Sequence, residues 1–474
     1  MRKDEGPVIG LEIHIQLGTR TKLFCSCPID PSAEPNTLTC PVCLGHPGSL
    51  PVLNREAVKA GVMLGIALGA EIRRRTVFYR KNYFYPDLAK GYQITQHISQ
   101  IAFGGEVKFQ SNRERSVRIT GIAIEEEAAK TVYTEDGFAL LDFNRSGIPL
   151  LEVVTEPDLR SASEARGFLE ALRLIVRYLG ISEGDMERGH LRVDTNVSYV
   201  LDGVQGNRVE IKNINTFKAV EDAINYESER QKNLLLAGRP VPKETRAWDE
   251  HIGETLPMRM KEEASDYRFF PEPDLLHLVV DDALYEEAAE AVPELPEARL
   301  RRYVQDYGLA EQTARALISS RELSDYFDRV ASLVKDKRRA GNFIAVDLVG
   351  IMRMRGESAE GLSVKPESLS ELLLAVEDGS LPLSGAKIAL VKALETGKPP
   401  VEVAKEEGLF SVSADEELLA WIEEVITSHP DEVDRFRKGK EGVLGFLVGQ
   451  VMKRSGGRAD PRRVREMMEK RIRG

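Results

Sequence analysis

The sequence predicts an α+β protein. A domain built on a mixed or antiparallel sheet spans about 1–292 and carries a small metal-binding insertion; an all-helical domain follows over 293–401 and a small helical tail over 402–474. Three observations support this reading. Apolar and polar residues alternate strictly in several N-terminal segments, as in strands with one buried face. From Pro293 onward the apolar period becomes helical, with Gly and Pro breaks near Gly379 and Pro399. All four cysteines fall between Cys25 and Cys43.

The first element is the stretch VIGLEIHIQL at 8–17. Alternation puts Ile9, Leu11, Ile13, Ile15 and Leu17 on one face and Glu12, His14 and Gln16 on the other. A carboxylate and an imidazole two residues apart on a strand lie side by side, and both can ligate a cation. A half-buried strand with a wet polar face has the same pattern, so other strands must supply the rest of a site. Next come Cys25-x-Cys27 and, twelve residues on, Cys40-x2-Cys43. Two such pairs suit a tetrahedral zinc (Zn2+) with four thiolate ligands, a closed shell and hence a structural metal.

Asn54 can cap a helix running to about Leu68, in which Gly61, Gly65 and Gly69 recur every four residues and mark close packing. Residues 79–87, YRKNYFYPD, mix aromatic and basic side chains. They could stack a base and hold phosphate, or serve as core aromatics beside a proline turn. A strand over 116–124 runs into Glu125, Glu126 and Glu127, which could be a solvated helix start or a magnesium site filled out by substrate phosphates. Alternation does not say which of the three faces inward if the strand breaks there.

Ser161 opens an amphipathic helix that Gly180 stops. The stretch 191–201 alternates again, with Arg192, Asp194 and Asn196 on its polar face, and after a Gly- and Asn-rich turn Glu210 and Lys212 flank Ile211. The pattern is an antiparallel hairpin. Its polar face reads either as cross-strand salt pairs or, with Glu12 and His14, as the floor of a cleft. A helix from about Phe217 to Ala237 and a short strand, LLHLVV, complete the sheet domain. In the helical region 309–334 is the clearest segment, and GVLGFLVGQVM at 442–452 is the core helix of the tail.

At 42% hydrophobic and 30% charged, 474 residues can bury a large core. The longest near-apolar run, 60–70, is too short to cross a bilayer, and the start, MRKDEG, has no apolar signal region. A cytoplasmic protein without membrane attachment is expected. The net charge of −11 conceals an asymmetry, because 435–474 holds thirteen Lys and Arg against four Asp and Glu, a local +9. A basic end on an acidic body is compatible with nucleic acid bound there.

The chain has no P-loop and no GxGxxG fingerprint, so a nucleotide would need another architecture. His251-Ile-Gly-Glu254 is a chance likeness to the HIGH motif of class I synthetases, since no KMSKS-like partner follows. With four cysteines on zinc, no thiol is left for glutamine hydrolysis, and no serine amidase signature is present. Ammonia would have to come from a second chain.

The blocks VIGLEIHIQL, AEPNTLTCPVCLGHPGSLPVLN, RKNYFYPD, LRVDTNVS, VEIKNINTF, DYRFFPEPD and GFLVGQVMK, in this order, resemble the B subunit of the tRNA-dependent amidotransferase across essentially the whole chain. The resemblance implies a mixed α/β cradle that acts as a kinase on misacylated Glu-tRNA(Gln) or Asp-tRNA(Asn). ATP and magnesium (Mg2+) phosphorylate the side-chain carboxylate, and ammonia from glutamine then displaces the phosphate. It further implies a heterotrimer with an amidase A subunit and a small C subunit, tRNA bound by the helical tail, and a non-discriminating synthetase nearby.

Carried over residue by residue, the resemblance gives Glu12, His14, Glu126 and Glu210 as magnesium ligands, with Glu152 as a further candidate. Lys212 joins the catalytic set, while Arg80, Lys81, Asn82, Tyr83, Arg192, Asp194 and Asn196 would hold nucleotide or carboxylate. Cys25, Cys27, Cys40 and Cys43 match the zinc-bearing members. The family's acidic block commonly reads HMEEDAGK where 123–130 reads AIEEEAAK, so that His has no counterpart here and Ala129 replaces Gly. The alternative expectation is a tRNA-binding scaffold without catalysis.

Overall fold

Strand β1 (Gly6–Gln16) lies at the centre of the principal sheet, and its alternation leaves only one face fit for burial. Ile9, Leu11, Ile13 and Ile15 are fully buried. Slipping the register by one residue would expose them and bury Glu12 and His14 instead. The computed structural model describes residues 5–111, 114–258, 267–410, 415–457 and 459–473. Residues 1–4, Asp266 of the DYRFFPEPD block, and Arg458 and Gly474 of the basic tail lie outside the described residues.

Two compact units divide the chain, Met1–Glu297 and Ala298–Gly474. In the first, the principal sheet comprises eleven strands among the described residues. After β1 come β2 (Glu71–Ile72), β3 (Ala102–Phe103), β4 (Glu106–Gln110), β5 (Glu114–Glu126) and β6 (Pro149–Thr155). Then follow β7 (Leu191–Leu201), β8 (Val204–Gln205), β9 (Val209–Lys212), β10 (Thr245–Asp249) and β11 (Glu254–Pro257). The hydrogen-bonded order is β11-β10-β9-β7-β1-β6-β5-β3-β2, with β8 on β7 and β4 on β5. β9 and β10 run parallel while β1 is antiparallel to both neighbours, so the sheet is mixed.

Helices α1 (Arg55–Ala67), α2 (Ala162–Tyr178) and α3 (Phe217–Leu236) share one apolar core with the odd-numbered residues of β1. Asn54, Ser161 and Thr216 cap them, each side chain accepting a backbone N–H of the first turn. The glycine stripe of α1 acts through packing: a Cβ on Gly61 would touch Ile101 and Leu151 at 3.4 Å, and one on Gly65 would meet Ala102 at 3.0 Å. With the helices on that core, the even-numbered residues of β1 face away from it.

One irregularity changes which acid reaches the polar face. Ile119 pairs with Thr155, but Gly121 pairs with Val154, so Thr120 is an extra residue in β5. Such a bulge inverts the phase of alternation. Val117 and Ile119 are core residues before it, Ile122 and Ile124 after it. Glu125 is thereby turned to the same face as Glu152 and His14, and Glu126 to the opposite one.

The second unit is helical. Residues from Leu300 to Ala404 form one core, and Leu418 to Ile472 form another. The clearest helical segment, 309–334, holds two helices, Glu311–Leu317 and Arg321–Leu333, the second capped by Ser320. Helix Pro400–Glu406 gives Val403 and Ala404 to the first core, which places the start of the separate tail core after 410 rather than at 402. In the tail Lys438, Lys440, Lys453, Arg462, Arg465 and Lys470 are exposed.

Candidate functional site

The strand register assembles the site. His14 on β1 lies between Glu152 on β6 and Arg192 on β7, and Glu12 lies between Val154 and Asp194. One strand further out, Ala123 pairs with Glu152 and Glu125 with Leu150. Because paired residues share a face, Glu12, His14, Glu152, Glu125 and Arg192 all stand on the side turned away from the helices. Ala123, which takes the position of the family's His, puts a methyl group next to Glu152.

Glu12, His14 and Glu152 each offer a ligand atom within 4.8 Å of the others. His14 Nε2 is 3.1 Å from Glu125 Oε1 and 4.0 Å from Glu12 Oε1. Thr95 Oγ1 donates to the other oxygen of Glu125 at 3.1 Å. Burial disfavours the His14 imidazolium, but Glu125 and then Glu152 outweigh it and raise its pKa to about 9. Burial also pushes the Glu152 carboxyl up to about 8, assisted by the charges of Glu125 and Glu12. Glu125 is buried too, yet His14 beside it holds its carboxyl below the usual range. His14 and Glu152 thus both hold protons more tightly than usual, positive charge that a metal cation could replace, and oxygen donors with one imidazole suit a hard divalent ion.

Segment 79–83 lies near this cluster and divides by strand alternation. Arg80 and Asn82 face other protein groups. The Arg80 guanidinium donates to both oxygens of Glu272 at 2.7 and 2.8 Å and to Asp274 at 3.0 Å, with the Tyr92 ring 4.1 Å away. Asn82 donates its amide to the carbonyls of Tyr267 and Arg268 at 3.1 and 2.8 Å. Both therefore pin this strand to 267–274 instead of offering free groups to a phosphate. Lys81 and Tyr83 face the acids: Lys81 lowers the proton affinity of Glu125 and Glu152, and the Tyr83 hydroxyl is pushed up by burial, then by Asp87, Glu125 and Glu127.

On the other flank Arg192 is ion-paired with the buried Glu127. Lys212 bonds Asp194 and lies 2.9 Å from Glu210. Burial alone would lower the Lys212 pKa, but the two carboxylates raise it. Glu210 also accepts from Thr245 Oγ1 at 3.0 Å, and Asn196 is beside Gly10 and Glu210 by register. This row is a set of cross-strand salt pairs next to the acid cluster, and Glu210 lies outside the group that converges on His14.

Glu126 is also outside that group. It accepts from Lys90 and from the Ile94 N–H, and it lines a cavity of about 80 Å³ together with Lys90, Lys22, Cys25 and Cys43. Ala129, where the family has Gly, does not have a positive φ and is buried, so the replacement costs no backbone strain. Glu125 and Glu127 belong to the acidic run offered as a magnesium site, from which the resemblance carried over only Glu126, and Thr95 is a site residue that the sequence did not announce.

The four cysteines are unpaired and converge with their sulfurs within 4.8 Å. The Cys40 N–H donates to Cys43 Sγ at 3.1 Å. The Cys43 thiol is held down at about 4, chiefly by a hydrogen bond from Cys25 and with help from Lys22, while burial pushes Cys27 up to about 11. Four sulfurs converging in this way fit a tetrahedral metal.

Comparison with known proteins gives the family. A family model described as the GatB/GatE catalytic domain matches residues 7–286, and one described as the GatB domain matches 325–472. Among curated relatives, the chain is 43% identical over 468 residues to a protein of Persephonella marina, with 98% of each chain covered. It is 44% identical over 471 residues to one of Moorella thermoacetica, covering 98% of this chain and 99% of the relative. Both are named as the B subunit of an aspartyl/glutamyl-tRNA(Asn/Gln) amidotransferase. With family models covering both units and relatives matching from end to end, this chain belongs to the B-subunit family of the aspartyl/glutamyl-tRNA(Asn/Gln) amidotransferases.

Proposed function

We propose that this subunit is the kinase of the amidotransferase, acting on the side-chain carboxylate of Glu-tRNA(Gln), Asp-tRNA(Asn) or both. The observation that carries the reading is the convergence of Glu12, Glu125 and Glu152 on His14 at the buried end of a polar sheet face. In this reading those four residues hold magnesium, which would neutralise phosphate charge. Glu126 and Glu210, expected as ligands, are not in this set.

The substrate carboxylate attacks the γ-phosphorus of ATP, ADP departs, and an acyl phosphate forms. Ammonia then attacks the acyl carbon, inorganic phosphate leaves with the C–O bonding pair, and the nitrogen loses a proton to give the amide. Lys81 offers positive charge to the transferring group and Tyr83 limits water, so the protein's contribution is mainly positioning and charge neutralisation. Arg192, released from Glu127, and Lys212 are the further cations within the same face. Arg80, Asn82, Asp194 and Asn196 support the walls. Zinc on Cys25, Cys27, Cys40 and Cys43 is structural. An amidase A subunit and a small C subunit supply ammonia from glutamine, and the basic tail holds tRNA phosphates in the cytoplasm.

The test is phosphate release from ATP by the assembled complex with Glu-tRNA(Gln), Asp-tRNA(Asn), correctly charged tRNA or no tRNA. Turnover requiring both magnesium and a misacylated tRNA is expected. If ATP is untouched in every mixture while tRNA binds, the kinase reading fails.

A further inference from the structure

Lys22 is completely buried, directly after the turn that leaves β1. Its Nζ donates to the Phe143 carbonyl at 3.1 Å and to Cys43 Sγ at 3.6 Å. An ammonium group removed from water needs a compensating anion. The carboxylate that shares its cavity, Glu126, is engaged by Lys90 and the Ile94 N–H. The Cys43 sulfur is the one group able to carry a negative charge that the Lys22 ammonium is bonded to among the described residues.

We infer that Lys22 is the counter-cation of a metal–tetrathiolate centre formed by Cys25, Cys27, Cys40 and Cys43. The inference rests on the zinc reading given above. Four thiolates around a divalent ion leave a net charge of about −2, and a centre of that charge with Cys27 and Cys43 buried is costly unless a cation and N–H···S bonds accompany it. Lys22 supplies both. Outer-shell donors of this kind orient the ligand and tune metal affinity.

The same lysine joins the centre to the sheet face. Through the Phe143 carbonyl it grips segment 143–147, where Ser146 Oγ donates to the Cys43 carbonyl at 3.4 Å and the Gly147 N–H donates to the Glu127 carbonyl at 2.9 Å. Glu127 is the partner of Arg192. Losing the metal or the ammonium therefore loosens the segment that holds Glu127 in place.

The experiment uses the full-length chain loaded with zinc and follows transfer of the metal to a colorimetric chelator. Lys22→Met, which keeps the stem and removes the charge, is expected to speed zinc release by about 10–100-fold. The same substitution is then made in a chain with all four cysteines changed to serine. There the ammonium has lost its anion, so Lys22→Met is expected to leave the unfolding midpoint unchanged or to raise it.

Unchanged zinc release, or an equal loss of stability in the cysteine and serine backgrounds, overturns the inference and makes Lys22 a packing residue. Should Lys22→Met fail to fold with the cysteines present, the serine background still decides between a charge role and a packing role. A wild-type chain that takes up no zinc would remove the metal reading itself, a result distinct from zinc uptake with release insensitive to Lys22.

Discussion

Replacing Glu125 with Gln keeps the side chain's length and an oxygen for Thr95 Oγ1 but removes the charge 3.1 Å from His14 Nε2. The upward displacement of His14, from 6.5 to about 9, reflects the pull of the surrounding carboxylates on one positive charge. It corresponds to about 3 kcal/mol, net of the burial that opposes it. Glu125 is the first of the groups that raise it, ahead of Glu152. If Glu125 supplies about half, its loss weakens binding of a single charge by roughly tenfold and of a divalent ion by roughly a hundredfold.

The assay is magnesium dependence of phosphate release by the complex with misacylated tRNA, where Glu125→Gln should raise half-saturation by about 10–100-fold. A second readout needs no activity. In magnesium-free protein the His14 ring resonances should titrate near 9, and in Glu125→Gln they should move down toward 6.5. Glu126→Gln, which alters a carboxylate bonded to Lys90 and Ile94 instead, should leave both readouts in place. Half-saturation unmoved in Glu125→Gln, or moved as far in Glu126→Gln, would refute the assignment of Glu125 to the metal.

Three further outcomes follow from the geometry. Arg80→Met leaves Glu272 buried without its cation, and breaking such a pair costs about 3–5 kcal/mol, so the thermal unfolding midpoint should fall clearly; an unchanged midpoint would make Arg80 available to a ligand after all. Gly105→Ala forces a side chain onto φ +86° with a Cβ 2.6 Å from the Leu68 carbonyl oxygen, and calorimetry should show destabilisation beyond the roughly 1–3 kcal/mol of backbone strain alone. Deleting 411–474 should weaken tRNA binding and reduce the salt dependence by about one log unit for each phosphate no longer neutralised, while the Leu300–Ala404 core stays folded; equal tRNA affinity in filter binding would remove the tail from the tRNA interface.

How far the site could be read from the sequence depends on where alternation survives. On β1 one face is apolar throughout, and on β7 it is broken only by Thr195, so Glu12 and His14, and likewise Arg192 and Asp194, are assigned to one face of their strand by period two alone, and the register pairs them. On β5 residues 121–126 are all buried, because both faces of the strand are covered there, and the alternating signal disappears just before the three acids. The bulge at Thr120 adds a phase change that no local pattern announces. Continuing the period from Val117 and Ile119 sends Glu126 to the polar face, whereas the extra residue sends Glu125. The spacing of the cysteines, by contrast, needs no register at all, since four soft ligands close together in the chain can converge through loops. Long-range pairing also explains Arg80 and Asn82: their chemistry suits a phosphate, but Glu272 and the carbonyls of Tyr267 and Arg268, nearly two hundred residues away in sequence, take their donors. A basic or acidic residue is thus legible as a ligand only when the competing partner is also local, and at this site the residues misjudged are those whose partners arrive from another strand.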